Sequence, residues 1–198
     1  MTLVLLYVFH WLIRERSPVE KTVLRVLSCV QLLLVTVIMV SAMMRMSLYV
    51  EAYGLTRLRF YSTAFMLWVA VSLGWFVVTA LWGYQKRFFV GMVISGLLIV
   101  FGFHAANPNA FIASWNLGRV ADGKPFDVKH ALQLGPDAVP VLVEGLDRLE
   151  KRDAADVRAG LERQWRTLRE ADWRAWSWSR KRALDALEGL FSTENPQQ

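Results

Sequence analysis

The residues with the densest chemistry form a polar stretch, Arg45–Arg59 (RMSLYVEAYGLTRLR), which lies between two long apolar runs. It contains three arginines, one glutamate and two tyrosines. Arginines bind phosphate or carboxylate through charge-assisted hydrogen bonds, and Glu51 is the carboxylate that the stretch offers for acid–base chemistry. Two later polar residues are expected on the same side. The candidate polar site therefore comprises Arg45, Tyr49, Glu51, Tyr53, Arg57, Arg59, Asn116 and Arg119.

Two interpretations fit this site. In the first, the arginines form a pocket at a membrane face for an anionic lipid or sugar headgroup. In the second, the stretch is a turn whose tyrosines anchor it at the membrane interface and whose arginines extend their charged ends to water. The general behaviour of these residue types near membranes favours the turn.

Motifs for other chemistry are absent from the sequence. There is no Ser-His-Asp set, no His/Cys cluster at metal-binding spacing and no phosphate-binding glycine loop. The runs Phe60–Trp82 and Phe88–Phe103 contain no charged residue, whereas proton relays and ion-coupled transporters place ionisable groups inside their spans. We therefore predict no catalytic residue, no metal ligand and no cofactor.

The elements that position the polar stretch are apolar runs of membrane-spanning length. Val26–Met44 has 19 residues without a charge, and Phe60–Trp82 has 23, or about 28 and 34 Å as helices. Either crosses a bilayer core of about 30 Å. Phe88–Phe103 is a third run, with glycines that would let a neighbour approach closely. Met1–Ile13 is also apolar but only about 20 Å long as a helix, and it resembles the end of a longer span.

The connection between the first two spans leaves two arrangements open. Either Met46–Tyr53 lies flat in the interface, or the first helix is shifted so that a partner holds Arg45 at membrane depth. Gly54 is a natural helix stop, and Thr56 is a candidate N-cap for the next helix.

Composition and charge agree with an integral membrane protein. The 198 residues are 55% hydrophobic and include nine tryptophans, and the net charge is +6. Residues 1–119 hold 10 Lys/Arg against 3 Asp/Glu, whereas residues 120–198 hold 13 against 14. Because the positive excess flanks the apolar runs, it indicates contact with lipids and not with nucleic acid. The lone Cys29 excludes an intrachain disulfide.

Residues 107–198, called the tail below, are predicted to be an extramembrane helical domain with helices at about 127–134, 137–151, 154–171 and 173–191. The segment Leu134–Leu142 is similar to part of one HEAT-type helix pair, and a single copy predicts no solenoid. Tryptophans alternate with basic residues from Trp173 to Arg182. This pattern suits membrane docking, nucleic-acid stacking or packing, and the balanced charge of the tail favours packing on itself or on headgroups.

These elements predict an all-α fold, an integral membrane helical bundle followed by a small C-terminal helical domain. The membrane region covers residues 1–106, with three full transmembrane helices at about 23–44, 58–82 and 88–105 and a short N-terminal apolar helix at about 1–13. A polar interface loop, residues 45–59, separates the first two full spans.

Several segments in this order resemble one family. They are RMSLYVEAYGLTRLRFY, a span containing FMLW, then NPNAFIASWNL, LGPDAVPVL and DWRAWSWSRKRAL. Together they are similar to the C-terminal half of domain of unknown function 4173, an uncharacterised bacterial membrane family. The resemblance implies a polytopic inner-membrane protein with further helices upstream, and it implies no activity.

Two classes of function follow. We expect a non-catalytic structural or regulatory component of the bacterial inner membrane, a multi-pass protein whose partners are membrane lipids and a further membrane protein or subunit, with no nucleic acid. The alternative is a transporter or membrane-enzyme component with an anionic-headgroup site at the membrane face. Glu51→Gln separates the two, because only the alternative uses this carboxylate.

Overall fold

The fold is all-α, as predicted, throughout the residues that the structure describes. This computed structural model describes residues 18–81, 85–170, 174 and 176–192, and no strand occurs among them. Three long helices come first: α1 (Pro18–Tyr53), α2 (Arg57–Leu81) and α3 (Gln85–Ala106). The predicted helix at residues 1–13 lies outside the described residues.

Two of the long helices are long and apolar enough to cross a membrane. They provide the segments Val26–Tyr53 and Arg57–Thr79. A third span is reached if Phe88–Phe103 and Pro108–Val120 count together as one broken span. The sequence predicted three full spans. The described residues contain two, or three if the broken pair counts as one span.

Helix α1 continues nine residues beyond its predicted end at Met44. Charged residues alone do not end a helix, and the first helix breaker in the stretch is Gly54, whose φ of 80° favours glycine. The amide of Gly54 still donates to the carbonyl of Val50 at 2.9 Å. The predicted loop 45–59 is thereby reduced to Gly54–Thr56. The N-cap prediction is confirmed, because Thr56 Oγ1 accepts from the amide of Arg59 at 3.3 Å.

The chain divides into two compact units, and the first comprises Met1–Leu48 and Ser62–Val100. Here α2 packs on α3 through tryptophan and glycine. The Trp75 indole covers Gly91, and a Cβ on Gly96 would lie 3.5 Å from Trp68 Nε1. The same indole nitrogen donates to Ser95 Oγ at 3.2 Å. The prediction that glycines of this run permit close approach is confirmed at Gly91 and Gly96, whereas nothing lies within 4 Å of a Cβ at the third predicted position, Gly102.

The second unit comprises Tyr49–Tyr61 and Phe101–Gln198, so it joins the turn between α1 and α2 to the tail. The sequence predicted a single boundary at residue 106 between membrane region and tail, whereas the second unit also includes Tyr49–Tyr61 and begins its later part at Phe101. Tail helices are α4 (Pro108–Val120), α5 (Val128–Leu132), α6 (Val139–Glu144), α7 (Lys151–Arg169) and α8 (Trp178–Ser192), with 3₁₀ turns at Pro136–Ala138 and Leu146–Arg148. Fully buried core side chains come from four of these helices and from the turn after α5: Ile112, Leu134, Leu142, Leu161 and Leu187.

Helix α4 is the element that the sequence prediction missed. Asn107 starts it in the left-handed region with φ of 45°, its side chain accepts from the amide of Ala110, and Pro108 occupies the first turn. The predicted helix 137–151 is instead three short pieces, because α6 ends at Gly145. Leu117 of α4 packs directly on Gly145, where a Cβ would collide with it.

Aromatic residues of the tail are partly packed and partly exposed. Trp165 stacks on Phe191 with centroids 5.2 Å apart, and Arg169 lies over the Trp165 ring at 5.0 Å. Trp176 and Trp178 contact each other but remain 62% and 66% exposed. Trp165 lies outside the predicted Trp173–Arg182 pattern, and the two exposed tryptophans of that pattern leave headgroup contact open. Trp173 lies outside the described residues.

Candidate functional site

Seven of the eight candidate site residues lie in the second unit, and Arg45 lies in the first. Tyr49, Glu51 and Tyr53 belong to the end of α1, Arg57 and Arg59 to the first turn of α2, and Asn116 and Arg119 to the end of α4. The tertiary structure brings α4 to the turn at Gly54. The contacts made there decide what these polar groups can do.

Asn116 makes a two-point hydrogen bond with the backbone of Leu55. Its Oδ1 accepts from the Leu55 amide at 2.8 Å, and its Nδ2 donates to the Leu55 carbonyl at 2.8 Å. A side-chain amide thus replaces the pairing that a neighbouring strand would supply. Leu55 itself is buried in the core of the unit. Asn116 therefore fixes the turn on α4 instead of presenting its amide to a ligand.

Two arginines cover the carboxyl-terminal end of α1. Arg119 Nη2 donates to the Glu51 carbonyl at 2.6 Å, and Arg59 Nη1 donates to the Gly54 carbonyl at 2.7 Å. The last carbonyls of a helix lack intrahelical partners and carry partial negative charge. Cationic donors at this end satisfy those carbonyls and complement the helix dipole.

Arg57 is directed to another part of the same unit. Its Nε donates to Asn109 Oδ1 at 2.8 Å, and its Nη2 donates to the Gln133 carbonyl at 3.0 Å and to the Leu134 carbonyl. The guanidinium fork therefore joins the start of α2 to α4 and to the end of α5. Arginine suits this position because its donors are rigidly spaced and permanently charged.

Glu51 and the two tyrosines are exposed, as are Arg45 and Arg57. The contact from Arg119 is with the backbone carbonyl of Glu51, whose side chain lies on the surface. Tyr49 and Tyr53 stack with centroids 6.2 Å apart, and Arg59 lies 5.7 Å from the Tyr53 centroid. Tyrosines with exposed rings at the end of an apolar helix are typical of interface anchors.

Gly54 leaves the space that these contacts occupy. A Cβ at this position would lie 2.6 Å from Arg119 Nη1 and 2.9 Å from Asn116 Oδ1. The glycine is thus required both by its positive φ and by the close approach of α4. The sequence marked Gly54 as a helix stop, but nothing in it predicted the side chains that lie against it.

Three polar residues outside the predicted set complete the contacts. Asn109 accepts from Arg57, and Asn107 Nδ2 lies 3.4 Å from Asp137 Oδ1. The NPN segment at 107–109 carried the available signal, because Asn before Pro is typical of a helix start. Its longer-range contacts had no sequence signal.

The geometry favours positioning over catalysis. Arg57, Arg59 and Arg119 direct donors to backbone carbonyls or to an amide oxygen. Among the described residues, no group of three or more His, Cys, Asp or Glu side chains is arranged to hold a metal ion. The hydrogen bonds of Asn116, Arg57 and Arg119 hold the turn, α4 and the end of α5 together.

The described fold and site define an all-α protein with two to three helices that could span a membrane and a helical unit built around the turn between the first two. Comparison with family models gives a match over residues 1–145, to a domain of unknown function, DUF4153. The chain belongs to the DUF4153 family. The search of curated proteins and the search of solved structures each return no match.

The family match supports membership of an uncharacterised domain family, which is the coarser part of the resemblance inferred from the sequence. The match does not show the family DUF4173, to which the sequence segments were found similar. The matched range contains the three long helices, the turn and the tail as far as Gly145.

Proposed function

We propose that this chain is a non-catalytic, multi-pass component of the bacterial inner membrane. In this role the polar stretch couples the membrane helices to the tail, and the tail serves as a surface for membrane lipids and a further membrane protein or subunit. The observation that carries the proposal is the two-point pairing of Asn116 with Leu55. A residue predicted to line a pocket is instead used to fix the turn.

The arginine contacts support the same role. Arg59 and Arg119 each direct one guanidinium donor to a carbonyl at the end of α1, which orients both side chains towards the backbone of the turn. Hydrogen bonds from charged donors stabilise a fold by about 1.5–3 kcal/mol each. Losing them to bind an anion would therefore also weaken the link between the turn and α4.

Two variants of nearly unchanged shape test the proposal. Asn116→Asp removes the Nδ2 donor and places a carboxylate against the Leu55 carbonyl, so we expect a lower unfolding temperature in mild detergent. Glu51→Gln removes the exposed carboxylate, and we expect unchanged unfolding. Each variant is also purified from its native membrane after cross-linking, and the co-purifying proteins are identified by mass spectrometry.

The proposal predicts that Asn116→Asp loses the cross-linked partner and that Glu51→Gln retains it together with the cellular phenotype of the wild type. Loss of that phenotype in Glu51→Gln, with normal membrane insertion and partner recovery, would contradict the proposal. Such a result would favour the transporter or membrane-enzyme alternative, since acid–base work needs this carboxylate.

A further inference from the structure

Helix α4 carries an uncharged stripe that faces away from the core of the second unit. The stripe consists of Phe111, Ser114, Trp115 and Gly118, all exposed. Their spacing places them on one face of the helix. Phe111 is 47% exposed and Trp115 is 49% exposed, although both are large aromatic residues.

The opposite face of α4 is fully packed. Ile112 and Ala113 have no exposed surface, and Leu117 is 3% exposed in the same core. Arg119, at the end of the helix, is engaged with the Glu51 carbonyl. One side of α4 therefore belongs to the core of the tail, and the other side is the stripe.

The polar groups of the stripe are compatible with an environment that is only partly aqueous. They are the Trp115 indole N–H and the Ser114 hydroxyl, and neither carries a charge. A serine hydroxyl in a helix can donate to a carbonyl of the preceding turn, and it therefore does not require water. An indole buries its apolar ring and keeps its N–H at a polar boundary.

Contacts within the second unit place the stripe next to the ends of membrane-length helices. Phe111 packs on Phe60 with centroids 5.7 Å apart, and Phe60 also lies 5.5 Å from Phe103. Phe60 belongs to the first turn of α2, and Phe103 to the last turn of α3. Helix α4 starts two residues after α3 ends.

The length of the second span fixes the depth of this contact. Arg57–Thr79 has 23 residues, or about 34 Å, against a bilayer core of about 30 Å. With this segment across the membrane, the first turn of α2 would lie at the edge of the core, and the Phe60–Phe111 contact would bring the stripe to the same level. Aromatic side chains with one apolar face and a polar edge concentrate in that layer.

We infer that α4 is an interfacial helix and that lipid at the boundary between headgroups and acyl chains covers the stripe. Helices of this kind insert their less polar face about 5–10 Å into that layer. The exposed Tyr61 ring, 5.4 Å from Phe103, extends the same surface. This assignment goes beyond the coupling role proposed above, because it names the contact that orients the tail on the membrane.

Single cysteines test the assignment without removing either aromatic ring. In a Cys29→Ser background, Ser114→Cys and Gly118→Cys introduce a label site in the stripe. The first exchanges only oxygen for sulfur, and a Cβ at Gly118 has open space around it. Glu144→Cys, at an exposed position of α6 in the same unit, is the matched control. The full chain is labelled with an environment-sensitive fluorophore and reconstituted in nanodiscs of phosphatidylcholine and phosphatidylglycerol.

We expect blue-shifted emission at positions 114 and 118, strong quenching by lipids with a nitroxide near the headgroup, and protection from aqueous iodide. The label at position 144 should show the reverse. Quenching by iodide at 114 and 118 would overturn the assignment, because the stripe would then face water. Protection from both quenchers would overturn it in favour of a protein cover, and strongest quenching by nitroxides at the chain ends would overturn it in favour of a re-entrant segment.

Discussion

At the scale of single residues, the polar stretch consists of side chains that serve the backbone. Asn116, Arg59 and Arg119 meet amides or carbonyls around one glycine turn. Each of these residue types can also bind a ligand, and the sequence alone leaves both uses open. Which use a side chain has depends on the fold. Backbone groups that the fold leaves without a partner need a donor or acceptor nearby, and these side chains supply it.

Gly54 provides the first test at this scale. Gly54→Ala is expected to destabilise the protein by about 1–3 kcal/mol, because alanine is strained at positive φ and its Cβ would meet Arg119 and Asn116. Thermal unfolding in detergent measures the loss. The matched control is Gly118→Ala, where nothing lies within 4 Å, and a gain of about 0.5–1 kcal/mol is expected there. Equal effects of the two would refute the requirement for glycine at position 54.

Arg57 provides the second test. Arg57→Lys is expected to cost about 1–2 kcal/mol, because an ammonium group cannot reach Asn109 and the carbonyls of Gln133 and Leu134 at once. The same replacement at Arg163, exposed on α7, serves as the control and should be neutral. Chemical unfolding measures both. An unchanged midpoint for Arg57→Lys would show that the fork contributes nothing measurable.

At the scale of elements, composition predicted which runs are long helices, but the helix ends, and with them the helix lengths, depended on backbone geometry. Helix α1 passes through Arg45 and stops only at Gly54, since a charge does not prevent the next helical hydrogen bond. In the tail, α6 stops at Gly145, which Leu117 of α4 covers. Leu117 therefore leaves no space for a side chain at position 145, although it is distant in the sequence.

The packing of α2 on α3 gives a prediction at the element scale. Gly91→Leu is expected to destabilise this helix pair by about 1–3 kcal/mol, because the new side chain must displace the Trp75 indole from the α3 backbone. Gly102→Leu on the same helix is the control, since nothing lies within 4 Å of that position. Unfolding in detergent, followed by tryptophan fluorescence, should separate the two variants. A stable Gly91→Leu protein would show that the contact is dispensable.

At the scale of the whole molecule, the compact units do not coincide with the division between apolar runs and polar tail. Leu55 and the core residues of the tail form one cluster, so the turn between two membrane helices is part of the tail's fold. The turn and the tail are coupled because they share one core, without any conformational change. This coupling follows from burying one leucine and pairing its backbone with Asn116.

Hydrogen exchange on the full chain tests this unity. The Leu55 amide is hydrogen-bonded to Asn116 and should be protected to the same degree as the amides of α4. Asn116→Asp should raise exchange in residues 54–60 and in α4 together, whereas Glu51→Gln should leave both unchanged. Faster exchange confined to one of the two segments would show that the turn and the tail open independently.

The sequence by itself determined the helical class, two helices of membrane-spanning length and the helix stop at Gly54, because apolar run length and glycine conformation are local properties. It also placed the polar residues that later meet at the turn in one candidate set. It did not predict α4 as a helix, since the 13 residues Pro108–Val120 mix polar and apolar types without the long run that marks a span.

Only the tertiary structure decided how the polar groups are used. Whether Asn116 faces a ligand or the Leu55 backbone depends on the approach of α4 to the turn, and that approach depends on core contacts such as that of Ile112. These residues are separated by about 60 positions in the chain, so no local pattern carries the information. Burial of a distant apolar face brings them together, and the backbone groups left unpaired by that burial then select their partners.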